Sequence, residues 1–186
     1  MNPDCLSHLL KNYFDLLSRV DAHIQKVEKN YPGMIACKKG CDSCCRPITL
    51  FPVEAVALSA AFGQLDKFSR ELVLAGMEKN AGGCPLLINR QCLLYGARPI
   101  ICRTHGYPIY FREKTENRVD FCPKNFKRVT FFPRDDLLDL EQLNVLLTTI
   151  NKQFRVSIET PRPLADRIPV SNALGLLDEI KGDWLE

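Results

Sequence analysis

No apolar run in this sequence approaches the ~20 residues that a membrane-crossing helix requires, so a helical span is excluded by length alone. Charge of one sign is scarce as well. The 25 Lys and Arg are nearly balanced by 22 Asp and Glu, and a net charge of +3 is too mild to call for a nucleic-acid partner. Absent too are a Ser/His/Asp set, a pair of catalytic carboxylates and a phosphate-cradling glycine loop, so no particular reaction class is written into the chain. No repeat or low-complexity tract interrupts it. The segment Met1–Leu10 carries Asp4 and lacks a basic stretch followed by a long apolar one, which argues against a signal peptide and for a cytoplasmic protein.

Cysteine, by contrast, is plentiful. In a reducing compartment clustered thiols bind metal more often than they form disulfides. Eight of the nine cysteines fall between residues 37 and 122, and four of these lie within Cys37-Lys38-Lys39-Gly40-Cys41-Asp42-Ser43-Cys44-Cys45. Gly40 tolerates the positive φ that a tight turn around a metal demands. Cys84, Cys92, Cys102 and Cys122 follow, whereas Cys5 stands apart and is left out of the candidate ligand set.

The rest of the chain reads mainly as helix. Leu6, Leu10, Tyr13, Leu17, Val20, Ile24 and Val27 recur in steps of three or four, which predicts an amphipathic helix from Pro3 to about Asn30, capped by Asn2 or Asp4 and ended by Pro32-Gly33. Its stripe is expected to pack on the protein's own core, and it is also the surface to which a protein partner would be assigned. A linker rich in proline leads to a helix opened by Pro52 and closed by Gly63. A third helix, from about Leu65 to Lys79, would turn Phe68, Leu72 and Met77 inward and break at Asn80-Ala81-Gly82-Gly83. Short extended pieces are expected on either side of Asn89-Arg90, then a helical turn from Pro99 carrying Cys102 and Arg103. A hairpin of residues 107–111 and 118–121 would cross the loop 113–117. Pro133-Arg134-Asp135 would lead straight into a helix running to about Phe154, with Leu137, Leu140, Leu143, Leu147 and Ile150 as its stripe. A loop marked by Pro161 and Pro163 and a last helix from Ser171 to Ile180, capped by Ser171 or Asn172, complete the chain.

Written as spacings, the thiols read C-x3-C-x2-C-C and then C-x7-C-x9-C-x19-C. Eight ligands suit two four-sulfur sites, since zinc takes four thiolates and iron–sulfur clusters are likewise held by four cysteines. Consecutive side chains diverge, so Cys44 and Cys45 serve two nearby centres, or one is a ligand and the other an outer thiol. Spacing does not divide the set. Lys38, Lys39, Arg46, Arg98, Arg103, Lys124, Lys127 and Arg128 lie close to these cysteines in sequence and would offset thiolate charge. His105, three residues after Cys102, is expected to be an outer or structural histidine. His8 and His23 are expected at the surface.

The knuckle at residues 37–45 resembles the C-x2,3-C-x2-C-C motif of the YkgJ-type cysteine-cluster family, whose domain is described as zinc- or iron-chelating. Cys84-Pro85-Leu86, Cys92, Tyr95, Arg98-Pro99 with Cys102-Arg103, and Cys122 follow in the same order, so the resemblance covers residues 37 to about 125. It implies that these eight cysteines chelate metal, and it brings no settled reaction. A flagellin lysine methylase is similar in its cysteine cluster, which makes methyl transfer a distant analogy. Cys37, Cys41 and Cys44 also match the spacing of radical S-adenosylmethionine enzymes. The strand–helix alternation of the barrel that carries that motif is missing here.

The expected architecture is therefore mainly α, with a small irregular α+β cysteine-rich core and long helices flanking it on both sides. One compact domain would comprise an N-terminal helix (1–36), a metal-binding region (37–125) and a C-terminal helical region (126–186). The expected function is chelation of zinc or iron, with a [4Fe-4S] cluster as the alternative cofactor. The metal ligands would be Cys37, Cys41, Cys44, Cys45, Cys84, Cys92, Cys102 and Cys122. Two other classes remain beside it. One is a metal- or cluster-dependent enzyme, methylase-like or redox, binding a substrate near Arg98, Arg103 and His105. The other is an adaptor with structural zinc that binds a protein or nucleic acid through Lys124, Lys127 and Arg128 with Phe126.

Overall fold

The structure, a computed structural model, describes residues 3–79, 83–158, 160 and 163–182. Asn2, the side chain of Asp4, the break at residues 80–82 and Pro161 lie outside the described residues. In chain order the elements are α1 (Pro3–Asn30), β1 (Thr49–Leu50), α2 (Pro52–Gly63), α3 (Lys67–Lys79), β2 (Leu87–Ile88), β3 (Gln91–Cys92), α4 (Ile100–Thr104), β4 (Ile109–Glu113), β5 (Glu116–Asp120), β6 (Leu138–Asp139), α5 (Leu140–Ser157), β7 (Ile168–Pro169), α6 (Val170–Ala173) and α7 (Leu176–Gly182). The fold is mainly helical with a small mixed core, and the long helices α1 and α5 flank it.

α2 is the central helix because its sequence has almost no polar face. Val53, Ala55, Val56 and Leu58 are buried, and so are its polar residues Glu54 and Ser59. A helix apolar all round belongs inside. Its buried polar atoms serve as joints, as buried polar groups must if they are not to cost stability. Ser59 Oγ donates to the Leu174 carbonyl (3.1 Å) and accepts from Leu177 N (2.9 Å), which ties α6 and α7 to α2. Asn151 of α5 accepts from Val53 N at 3.2 Å. Glu54 accepts from Phe51 N at 3.3 Å and from Ile100 N at 3.2 Å, so one carboxylate closes the first turns of both α2 and α4.

The apolar stripe predicted on α1 is buried along its length, from Leu10 through Tyr13, Leu17 and Val20 to Val27, and packs against α5, α4 and α2. The face proposed for a protein partner is therefore consumed inside the chain. Polar ties lock it there. Asn30 and Tyr31 donate to the buried Asp136 carboxylate at 2.8 and 3.1 Å, and Lys26 stands 3.5 Å from it. His23 is not merely superficial, since its Nε2 lies 3.4 Å from the Asp136 carbonyl oxygen. Asp21 accepts from Arg103 of α4 at 2.8 Å, and Glu28 accepts from the Tyr107 hydroxyl at 2.6 Å.

β4 is the middle strand of the three-stranded sheet. It pairs antiparallel with β5, opposing Ile109 to Asp120, and parallel with β6, opposing Ile109 to Leu138. The hairpin turn is tighter than the five-residue loop expected, because Lys114 adopts a positive φ of 54° and the ladder continues to Glu113 and Glu116. β1 pairs with β7, giving the proline-rich linker a partner more than a hundred residues away.

Other expectations need correction. Among the described side chains of α3 the buried one is Val73; Leu72 and Met77 are half-buried, and Phe68 is 69% exposed. The helix expected from Pro133 begins only at Leu140, where Asp139 caps it by accepting from Gln142 N. Residues 134–139 form a 3-10 turn and β6 instead, because Asp136 is drawn to α1 and Leu138 to β4. The last helix is two, α6 and α7, and Pro169 rather than Ser171 or Asn172 precedes the first.

Replacing Glu54 by Ala would leave two N–H groups without acceptors, so urea denaturation should show a loss of about 2–3 kcal/mol. Burial, only partly opposed by its two N–H donors and Arg167, raises the Glu54 pKa. The folded chain therefore holds this proton more tightly than the unfolded chain does. The contribution is full below the ordinary carboxylate pKa and is lost as pH rises through the raised one. The stability advantage of wild type over Glu54→Gln should accordingly be larger at acidic than at neutral pH.

Candidate metal centre

Four segments bring the thiols together. The knuckle is two successive hydrogen-bonded turns, Cys41 N to Lys38 O (2.9 Å) and Cys45 N to Asp42 O (3.0 Å), with Gly40 at φ +97° as expected. Cys84 enters the β2–β3 hairpin, and its carbonyl accepts from Leu87 N at 3.1 Å. Asn89 and Arg90 both take positive φ, the signature of a two-residue hairpin turn, and this sets Cys92 opposite Leu87. Arg90 then reaches across to Asp42 (2.9 Å), joining the hairpin tip to the knuckle. Cys102 is carried by α4, which Glu54 and Arg103 hold in place, and Cys122 follows β5.

The segment after Cys122 is anchored by an aromatic cluster. Phe126, 1% exposed, meets Tyr31, Phe121 and Phe132 edge-on at centroid distances of 5.2–5.6 Å. This corrects the adaptor reading, in which Phe126 was to offer an aromatic face to a partner. Lys127 and Arg128 instead border an open groove with residues 32–36, and Lys124 donates to Ser43.

Asn125 is the residue that sequence reasoning missed. Its side chain is fully buried. It accepts from Ala36 N (2.8 Å) and donates to the Gly106 carbonyl (2.8 Å) and to Cys37 Sγ (3.2 Å). One amide thus fixes the start of the knuckle against the turn after α4. Gly106 completes the arrangement. Its φ is +99°, and a Cβ there would come within 2.9 Å of Cys37 Sγ and 3.3 Å of Cys122 Cβ. Only glycine lets the backbone pass so close to the sulfurs. The run Cys122-Pro123-Lys124-Asn125 offered no signal, because an asparagine beside a cysteine is ordinary.

Six of the eight thiols, those of Cys41, Cys44, Cys45, Cys84, Cys92 and Cys102, line a cavity of about 280 Å³. Leu58, Leu86, Ile101 and Val170 make it largely apolar, and Arg46, Tyr95, Arg98 and His105 supply polar groups. Cys37 and Cys122 lie behind it at Gly106. Cys5 is exposed on α1. Of the basic residues expected near sulfur, Arg46 and Arg98 both line the cavity; Arg46 is exposed, and Arg98 is the one tied in by hydrogen bonds. Its guanidinium stacks 3.8 Å from the Tyr95 ring centroid and donates to the Tyr95 and Cys102 carbonyls. Arg103 is turned to Asp21 and to backbone carbonyls, and Lys38 and Lys39 are exposed. His105 is exposed at the cavity wall.

All nine cysteines are free thiols. Burial pushes up the pKa of Cys37, Cys44, Cys45 and Cys84, that of Cys92 to about 11 and that of Cys102 to about 12. Buried thiols are soft ligands that ionise when a cation arrives to replace the lost hydration. The donor set therefore fits zinc or iron. Among the described residues no three His, Cys, Asp or Glu side chains are already gathered closely enough to hold an ion, so ligation would require the thiols to draw inward.

Asn125→Ala should release Cys37 and strand the Ala36 N–H. Expected are a loss of about 2 kcal/mol in urea denaturation and metal affinity weakened about tenfold or more, as for other residues that orient ligands. Competition with a coloured chelator measures the second effect.

Comparison with known proteins agrees with this picture. No curated protein and no solved structure matches significantly. One family model does match, over residues 36–123: CxxCxxCC, described as “Putative zinc- or iron-chelating domain”. It begins one residue before the knuckle and ends one residue after Cys122, so it contains all eight clustered thiols. Residues 36–123, and with them the cysteine block around which this chain folds, match the CxxCxxCC (YkgJ-type) family of domains described as zinc- or iron-chelating.

Proposed function

We propose that this metal-binding protein uses Cys37, Cys41, Cys44, Cys45, Cys84, Cys92, Cys102 and Cys122 as its ligands for zinc or iron, and that the metal stands at the wall of a cavity open to small molecules. The observation that carries the proposal is the convergence of eight free thiols, all but Cys44 partly covered, from four separate segments, six of them around one cavity. A core without metal would gain more from Val or Leu at these positions than from half-buried thiols. That all the thiols are free accords with a reducing, cytoplasmic setting. In this reading residues 37–125 are the metal-binding region, and the helices of 1–36 and 126–186 hold it together.

A second reading, an enzyme acting through the metal, is favoured by the cavity itself. Its volume and mainly apolar lining suit a small organic molecule, with Arg98 and His105 at its wall. When bound, the metal or cluster would supply Lewis acidity or electrons there. Arg98 would keep a compensating charge beside Cys102, and the apolar wall would exclude water. Binding of S-adenosylmethionine would support the methylase analogy, and no binding at high concentration would remove it.

Anaerobic purification followed by metal and sulfide analysis tests the main proposal. Near-stoichiometric metal is expected, brown and containing sulfide for iron–sulfur, colourless for zinc. Cys41→Ala or Cys102→Ala should lose metal and loosen the cysteine block to proteolysis, since ligation and folding are coupled. Cys5→Ala should leave metal content unchanged, and a fall there would show the ligand set to be wrong.

A further inference from the structure

The thiol cavity has a neighbour. A second cavity, of about 430 Å³, lies where α4, β4 and the first turns of α5 meet the Phe51 stretch before α2. No cysteine lines it. α4 is the partition between the two: Cys102 lines the thiol cavity, Ile100 and Thr104 line the second, and Ile101 and His105 border both. Its volume falls within the roughly 300–1,000 Å³ of small-molecule sites.

The walls of this second cavity are mostly apolar, with Ile109, Phe111, Leu143 and Leu147 among them. Two of its polar side chains are already engaged. Each oxygen of Glu54 accepts from a backbone N–H, that of Phe51 or of Ile100. Thr104 Oγ1 donates to the Ile100 carbonyl at 3.0 Å. Arg167 is different. Its guanidinium is stacked 3.6 Å from the Phe51 ring centroid, so its plane is held while its N–H edge is left over. Its neighbour Asp166 is taken by Arg155 at 3.0 Å, and among the described residues Arg167 has no carboxylate partner. A guanidinium fork held flat beside an apolar hollow suits a planar carboxylate, which it can grip with two parallel hydrogen bonds. Asp120 also lines the cavity, but on a strand exposed along its whole length, where water solvates its charge. A phosphate monoester would bring a second negative charge to walls that already carry Asp120 and Glu54. A single carboxylate is the better match.

We propose that the cavity between α4, β4 and α5 is a binding site for a small organic monocarboxylate, with its carboxylate on Arg167 and its apolar body over Ile109, Leu143 and Leu147. The site requires none of the thiols, so it stands apart from the assignment of metal ligands. Its occupant nevertheless shares a wall with the cysteine block, through Ile101 and His105. Arg167 is the residue that selects an anion, and the apolar walls select its body.

The test is equilibrium dialysis and titration calorimetry on the full chain with its native metal, using octanoate and 3-phenylpropionate as probes and octanol as the uncharged match for octanoate. At least one of the two acids should bind saturably at one per chain, and octanol should bind at least tenfold more weakly than octanoate. Arg167→Gln should weaken the acid about tenfold or more, and Arg167→Lys by less. Asn144 lines the same cavity and is exposed, so Asn144→Trp should fold normally and block the site. Saturable binding by neither acid overturns the proposal. So does binding that survives both Arg167→Gln and Asn144→Trp, as binding to the metal would. Loss of binding in Arg98→Gln with retention in Arg167→Gln would put the acid in the thiol cavity and overturn it too. Octylamine binding more tightly than octanoate, and weakened by Asp120→Asn, would reverse the charge assignment and refute the carboxylate.

Discussion

The contact on which the cysteine block depends most is the side chain of Asn125. A primary amide has a fixed geometry of one acceptor and two donors, and here it joins Ala36, Cys37 and Gly106 at once. These belong to two stretches of chain about 70 residues apart, and a third, at Cys122, is bonded to the Asn125 backbone. Because the amide is fully buried, each bond is worth more than at the surface, and the loss of any one would leave a polar group without water. The thiols are thus positioned by a hydrogen-bonded pin before any metal is considered.

The same device recurs further out. Glu54 joins α2 to α4, Asp136 receives α1, Asp21 holds Arg103, and Ser59 links α2 to α6 and α7. Each is a polar side chain at a place where a short or irregular segment meets a long helix. Short elements cannot bury enough apolar surface to place themselves. The five-residue α4 is held by one carboxylate at its start and one arginine near its end. Its position decides where Cys102 stands, so the helical scaffold reaches the sulfurs through these few bonds. The four-residue and seven-residue helices after β7 are placed by Ser59 in the same manner.

Much of this was readable from residue order. The stripe of α1, the limits of α2 set by Pro52 and Gly63, the turn at Gly40 and the hairpin around Asn89-Arg90 follow from local rules, and all four stand in the structure. What failed were inferences that depended on distant partners. Phe68 was expected inside and lies outside, since α3 contacts the rest of the chain through Val73 and the β2–β3 hairpin. The acidic residues 135–139 looked like the first turn of a helix, but Asp136 and Leu138 had stronger attachments elsewhere. Phe126 looked like a surface aromatic in a basic run and is part of the core.

Sequence by itself determined that eight clustered thiols, with glycine and turn residues at the right places, form the heart of this protein, and that helices with a single apolar stripe or none at all surround it. Ligand type and turn geometry are local properties, carried by side-chain chemistry and by φ. Only the tertiary structure decided which sulfurs are neighbours, which arginine faces them, and that a buried asparagine outside the motif holds Cys37. Those are distances between segments far apart in the chain, and spacing along a sequence carries no such distances.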